Sequence, residues 1–265
     1  MKGWAAAVAL VAVVVATAVG LWVTWDSTQT SATDPTGGPP LSLVTTTTSA
    51  LRSTPPTTAP VPACTVGDEP VAADPDRDWA SVVIDTGHSL PESYVPTDLV
   101  SVSQAGFNGQ DQVRRVVIDD LAALGAAAEA NGTPLVITSA YRSYSYQQDL
   151  FDRRARAVGE EEAAKGTARP GHSEHQLGTT IDVVDPGTAD LTTAFAATAQ
   201  GQWVAAHAYE YGFVLSYPDG ARDRTCYEYE PWHLRYVGRD VARRIHDAGV
   251  TAREWFLQDR ADTPG

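Results

Sequence analysis

Hydrophobic and polar positions divide the chain into three zones. From Gly3 to Trp25 no residue is charged, and Ala and Val dominate. This run exceeds the roughly 20 apolar residues that cross a bilayer as a helix. Trp4 near one end, and Trp22 and Trp25 near the other, suit the two membrane interfaces. Residues 1–25 therefore predict a single-pass anchor, with Lys2 inside and everything after Asp26 outside. The rival is a cleaved signal peptide, for which Ala16-Thr17-Ala18 offers a small-x-small site, leaving the chain secreted. Residues 26–62 are Thr, Ser, Pro and Gly with few large apolar side chains, which predicts a disordered tether. Periodic apolar positions return in residues 63–265, which predict one folded domain.

Within that domain Trp79 to Asp85 reads as a short strand. From Asp111 to Ala130, Val113, Val116, Val117, Leu121 and Leu124 recur at helical spacing, and Asn131-Gly132 ends the run. Thr133 to Ala140 predicts a strand leading into Tyr141-Arg142-Ser143, and Ser145 to Val158 a helix. After the Arg169-Pro170 break, a β-branched run predicts a strand ending at Asp185. Leu191 to Tyr211 reads as a helix, Gly212 to Tyr217 and Glu228 to Val237 as strands, and Arg239 to Ala248 and Thr251 to Gln258 as helices. Helices mixed with strands, some joined by short connections, imply an α+β fold with a central antiparallel sheet flanked by helices.

Charge narrows the function. With 19 basic against 33 acidic residues the net charge is −14, the wrong sign for a nucleic-acid binder. Cys64 and Cys226 are the only cysteines. In the oxidising exterior that the N-terminal run implies, they are expected to pair. Closing so long a loop is worth up to about 5 kcal/mol in the chain-entropy model.

Candidate chemistry concentrates in Gly171-His172-Ser173-Glu174-His175-Gln176-Leu177-Gly178-Thr179-Thr180-Ile181-Asp182. His175 and Asp182 stand seven residues apart, and a turn at Gly178 followed by a strand can bring them to one point. Imidazole nitrogen and carboxylate oxygen are zinc ligands, and a catalytic zinc takes three protein ligands and leaves one position for water. Glu230-Pro231-Trp232-His233 can supply the third through His233, with Glu230 beside it for proton transfer. Three apart on one strand, Glu230 and His233 would face opposite sides, so this reading requires a bulge or twist at Pro231. His88, His207 and His246 have no partners at ligand spacing and read as structural. Trp203 and Trp232 read as core or pocket wall.

Three segments together carry a resemblance: Ser139-Ala140-Tyr141-Arg142-Ser143, Ser173-Glu174-His175-Gln176-Leu177-Gly178 with Asp182, and Glu230-Pro231-Trp232-His233-Leu234-Arg235-Tyr236. Over roughly residues 76–250 the chain resembles the VanY-type D-alanyl-D-alanine carboxypeptidases, relatives of the D-Ala-D-Ala dipeptidases with a hedgehog-like zinc-peptidase fold. The resemblance implies Zn2+ held by His175, Asp182 and His233, with Glu230 as general base and acid. It implies Arg142 as the oxyanion-stabilising group, and Ser173 and Gln147 as substrate contacts. Thr179-Thr180 replaces a frequent apolar pair of the family, which reads as packing. His172, where relatives often carry Tyr, reads as a rim or supporting residue, because a fourth protein ligand would close the metal to water.

The function implied is removal of the terminal D-Ala from peptidoglycan stem peptides by a monomeric, membrane-anchored exterior enzyme. L,D-carboxypeptidase or D,D-dipeptidase activity on the same scaffold is the alternative. A non-catalytic wall-binding module with a vestigial zinc site is the alternative from a different class. Retention of Glu230 and Arg142 speaks against it.

Overall fold

The structure, a computed structural model, describes residues 61–71, 74–188 and 190–262. The expected anchor and the tether as far as residue 60 lie outside the described residues. Among the described residues no helix is long and apolar enough to cross a membrane.

Two small ladders come first. β1 (Glu69–Pro70) pairs in parallel with β2 (His88–Ser89), and β3 (Leu99–Ser101) pairs antiparallel with β4 (Gln112–Arg114). Helix α1 (Ile118–Ala130) leads to β5 (Val136–Ser139), then α2 (Tyr144–Val158) and α3 (Glu160–Gly166). β6 (Thr180–Val184), α4 (Ala199–His207), β7 (Phe213–Leu215) and the short α5 (Arg222–Thr225) follow. β8 (His233–Tyr236), α6 (Arg239–Ala248) and α7 (Ala252–Asp262) complete the domain.

β5, β6, β8 and β7, in that spatial order, form one four-stranded sheet, antiparallel throughout. The expected α+β architecture with a central antiparallel sheet holds. Alternation along the strands decides what each face does. Ile137, Ile181, Val183, Phe213, Leu234 and Tyr236 pack with Val117, Leu121, Leu124, Phe195 and Val204 into the main core. Fully burying one such side chain contributes about 1.5–3 kcal/mol. The same period of two sends Asp182, His233 and Arg235 to the opposite face.

Several expected boundaries move, for identifiable reasons. The helix expected from Asp111 begins at Ile118, because Gln112–Arg114 pairs with Leu99–Ser101 and Arg115–Val117 forms a 3-10 turn. Trp79 to Asp85 joins no ladder. Val82, Val83 and Ile84 are buried there, but the carbonyls of Trp79 and Val82 accept from the Arg235 guanidinium, at 3.0 and 2.7 Å, in place of a strand partner. The helix expected over Leu191 to Tyr211 is three pieces, 3-10 at Thr193–Ala197 and Ala208–Tyr211 around α4. Thr198 caps α4 by accepting from the Gly201 amide at 3.0 Å. The strand expected from Glu228 begins only at His233.

Cys64 and Cys226 form the expected disulfide, with Cα atoms 5.3 Å apart. It fastens the segment ahead of β1 to the end of α5. Replacing both cysteines by serine is expected to lower unfolding free energy by about 2–5 kcal/mol, read from the urea midpoint. An unchanged midpoint would show that this crosslink adds nothing to the fold.

Candidate active site

The register between β6 and β8 sets Asp182 directly opposite His233. Directly paired residues hold their Cβ atoms about 4.5–5.5 Å apart on one face of the sheet. His175 arrives from the 3-10 turn Glu174–Leu177, which Gly178 closes in the left-handed region at φ 72°. A Cβ at Gly178 would also crowd the Arg114 and Leu99 side chains, at 3.0 Å from each. The turn delivers Nε2 of His175 to 3.2 Å from Asp182 Oδ1, and Nδ1 of His233 lies 3.4 Å from the same oxygen. One ligand atom from each of the three buried residues falls within 4.8 Å of the others.

The outward-facing nitrogens settle which lone pairs remain free. His175 Nδ1–H donates to the Ala140 carbonyl at 2.6 Å, just past the end of β5. His233 Nε2–H donates to Glu174 Oε2 at 3.0 Å. That leaves His175 Nε2, His233 Nδ1 and Asp182 Oδ1 buried without a hydrogen-bond partner. A buried polar atom left unsatisfied costs about 1–3 kcal/mol, so three converging on one point call for a cation. Two imidazole nitrogens and a carboxylate oxygen suit zinc, and three protein ligands leave a position open.

Charges around the point agree with this. Burial raises the Asp182 pKa, but His175, His233 and Arg142 outweigh it and hold the carboxyl well below its ordinary range. Burial, helped by Arg142, pushes His175 down to about 4 against the pull of Asp182, so it is neutral and able to ligate near pH 7. Burial also opposes charge on His233, yet Asp182, Glu174 and Glu230 together raise its pKa. Surroundings that attract a proton to His233 attract a divalent cation to the same place, and a bound cation would displace that proton.

Glu230 lies outside the strand, which removes the problem of opposite faces. The His233 amide donates to the Glu230 carbonyl at 3.2 Å, closing a turn through Pro231 and Trp232. The Glu230 carboxylate, partly exposed, comes to 3.3 Å from His233 Nδ1. Arg142 reaches Asp182 Oδ2 at 3.2 Å and Gln147 Oε1 at 3.1 Å, while its Nε has no hydrogen-bond partner. Gln147 is buried and also donates to the Ala168 carbonyl at 2.7 Å. Ser173 and Gln147 line the cleft of about 230 Å³ that opens onto these groups, as do Tyr217, Tyr227, Leu150 and Trp232. His172 stays out of the cluster: its ring donates to the Asp85 carbonyl at 2.7 Å and pairs with Asp68 at 3.0 Å. His88, His207 and His246 instead lie beside Asp85, Glu210 and Asp247 respectively.

Sequence reasoning missed Glu174 and Arg235. Glu174 is buried between His233 and Arg235, whose Nη1 lies 2.8 Å from Glu174 Oε1. A signal was present, since Arg235 is two residues from His233 on a strand and so shares its face.

Three convergent acceptor atoms, a neighbouring carboxylate and a guanidinium, opening on the cleft, are the groups that metal-assisted hydrolysis uses. The chain belongs to the VanY family of D-alanyl-D-alanine carboxypeptidases, whose pattern matches residues 110–239. It is 39% identical over 180 residues to the putative carboxypeptidase YodJ of Bacillus subtilis, a match covering 66% of each chain. Among solved structures it resembles the LdcB LD-carboxypeptidase, at 38% identity and a TM-score of 0.60, over 66% of this chain and 84% of that one. It also resembles the vancomycin-resistance D,D-pentapeptidase VanY from the VanB-type cassette, in complex with Zn(II). There identity is 26% and the TM-score 0.58, over 68% of this chain and 99% of that one.

The electrostatics set an acid limit. Burial favours the neutral form of Glu174, but Arg235 and His233 prevail and lower its pKa from 4.5 to about 2. A depressed carboxyl contributes stability that is full above its unfolded value and is lost as pH falls toward its folded one. Asp182 acts with the same sign. The urea midpoint of the metal-free protein is therefore expected to fall as pH drops from 4.5 to about 2. A constant midpoint across that window would contradict the pairing.

Proposed function

We propose that the protein is a zinc-dependent D-alanyl-D-alanine carboxypeptidase that releases the terminal D-Ala of peptidoglycan stem peptides. The observation that carries this reading is the set of partnerless atoms on His175, Asp182 and His233 beside Glu230 and Arg142. His175, Asp182 and His233 would hold the metal. When bound, zinc supplies Lewis acidity, polarising the scissile carbonyl and making an attacking water more acidic. Glu230 accepts the proton of that water at a carboxylate oxygen and passes it to the leaving amine of D-Ala. Arg142 directs N–H donors at the carbonyl oxygen as charge develops on it. Gln147 holds the guanidinium in place through the Arg142–Gln147–Ala168 chain of hydrogen bonds. Ser173, on the cleft wall beside His175, contacts the substrate.

The likeness to LdcB, an LD-carboxypeptidase, favours a second reading in which the residue before D-Ala has an L centre at the scissile bond. In this reading residues 63–265 act outside the membrane, held by the anchor expected at 1–25 and the tether expected at 26–62, or secreted after signal cleavage. The apolar N-terminal run supports this, as does a disulfide that suits an oxidising compartment.

Incubation of the zinc-loaded protein with a synthetic stem pentapeptide and a tetrapeptide, read by mass spectrometry, separates the readings. Release of one D-Ala from the pentapeptide is expected. Release from the tetrapeptide alone would favour L,D specificity, a released dipeptide the dipeptidase, and binding without turnover the non-catalytic module. Glu230→Ala is expected to keep stoichiometric zinc while losing about 10²–10⁴-fold in turnover; full activity would remove Glu230 from proton transfer. Asp182→Ala is expected to lose zinc on dialysis, and full retention in elemental analysis would mean a different ligand set.

A further inference from the structure

His175 and His233 offer opposite nitrogens to the candidate metal position, and different partners select them. A neutral backbone carbonyl, that of Ala140, fixes His175. A buried carboxylate, Glu174, fixes His233. The two oxygens of Glu174 have separate tasks: Oε2 accepts from His233 Nε2–H at 3.0 Å, and Oε1 accepts from Arg235 Nη1 at 2.8 Å. Arg235 is fully buried and is itself anchored by the carbonyls of Trp79 and Val82, at 3.0 and 2.7 Å. A chain of hydrogen bonds thus runs from the backbone of residues 79–82, through Arg235 and Glu174, to the far side of the His233 ring.

We infer that Glu174, held by Arg235, is a positioning residue for metal binding: it keeps the His233 proton on Nε2 and the ring turned so that Nδ1 faces the metal. This rests on the zinc-peptidase reading above. A carboxylate on the outer nitrogen of a ligating histidine fixes the tautomer and makes the ring a better donor. Among the described residues Glu174 is the hydrogen-bond partner of His233 Nε2, while Tyr217 meets the ring by packing, with centroids 4.6 Å apart. The strand pattern supports a functional reason for the pair. His233 and Arg235 alternate with the core residues Leu234 and Tyr236, so the ligand and the anchor of its carboxylate share one face by construction. A buried ion pair adds little to stability against an apolar replacement, so packing alone does not account for one set behind a ligand.

Glu174→Gln tests this with little change of shape. The amide has one oxygen where the carboxylate uses two, so its NH2 must face Arg235 or His233. Arg235 has no acceptor to offer and cannot deprotonate. The NH2 group therefore falls opposite His233 Nε2, which accepts from it once the ring proton moves to Nδ1, the atom the metal needs. Zinc dissociation constants, measured by competition with a chromophoric chelator, are expected to rise about 10–100-fold in Glu174→Gln. Glu174→Asp, which keeps the charge but shortens the reach, is expected to fall between that variant and the parent.

A purely structural role would instead lower the melting temperature of the metal-free protein and leave zinc affinity alone. Parent-like zinc affinity, within about threefold, in both variants overturns the inference. If Glu174→Gln does not fold, Glu174→Asp decides by the same criterion. A parent protein that binds zinc but releases no D-Ala would sink the substrate reading and leave this inference standing.

Discussion

Everything at the site depends on one antiparallel pairing, the register that sets Asp182 of β6 against His233 of β8. The pairing is enforced from the other face of the sheet. Ile181 and Val183 alternate with Asp182, and Leu234 and Tyr236 alternate with His233 and Arg235, and these apolar residues are buried in the main core. A slip of one residue would send His233 into the core and Leu234 into the cleft, because the side-chain period of a strand is two. The burial energy that stabilises the sheet therefore also holds two of the three candidate ligands in place. His175 is added by a tight turn that only a left-handed Gly178 closes.

Around that pair the domain buries several charged side chains, set against opposite charges. Glu174 faces Arg235, Asp182 faces Arg142, and Asp85 faces Arg253 at 2.6 Å. Buried ion pairs of this kind contribute organisation more than net stability, since desolvation offsets most of the attraction. Against that background the three partnerless acceptors of His175, Asp182 and His233 stand out. Other buried polar atoms also lack partners, but these three converge within 4.8 Å of one another, an arrangement that suits a ligand supplied from outside the chain.

The disulfide and the surrounding loops do related work on the cleft wall. Cys226 immediately precedes Tyr227, which lines the cleft and donates from its hydroxyl to the His172 carbonyl at 3.0 Å. The loop carrying Ser173 and His175 is thus tied to the segment that the disulfide holds.

What the sequence determined by itself is local. A β-branched run marked β6, the strand expected over Glu228 to Val237 contained β8, and the spacing of His175, Asp182, Glu230 and His233 named the groups that the fold gathers. The α+β class followed from the order of elements. Long-range pairing was beyond local periodicity. Residues 79–85 read as a strand because Val82, Val83 and Ile84 are apolar, yet a distant arginine satisfies the carbonyls there. Glu230 read as a strand residue facing away from His233, yet a hydrogen bond between the two folds residues 230–233 into a turn. The partners of Gln147 and Glu174 were likewise decided only in three dimensions. A polar side chain's role is set by which donor or acceptor the tertiary fold brings within about 3 Å: Glu174 meets His233 across 59 positions, Arg235 meets Trp79 across 156, and Gln147 meets Ala168 across 21.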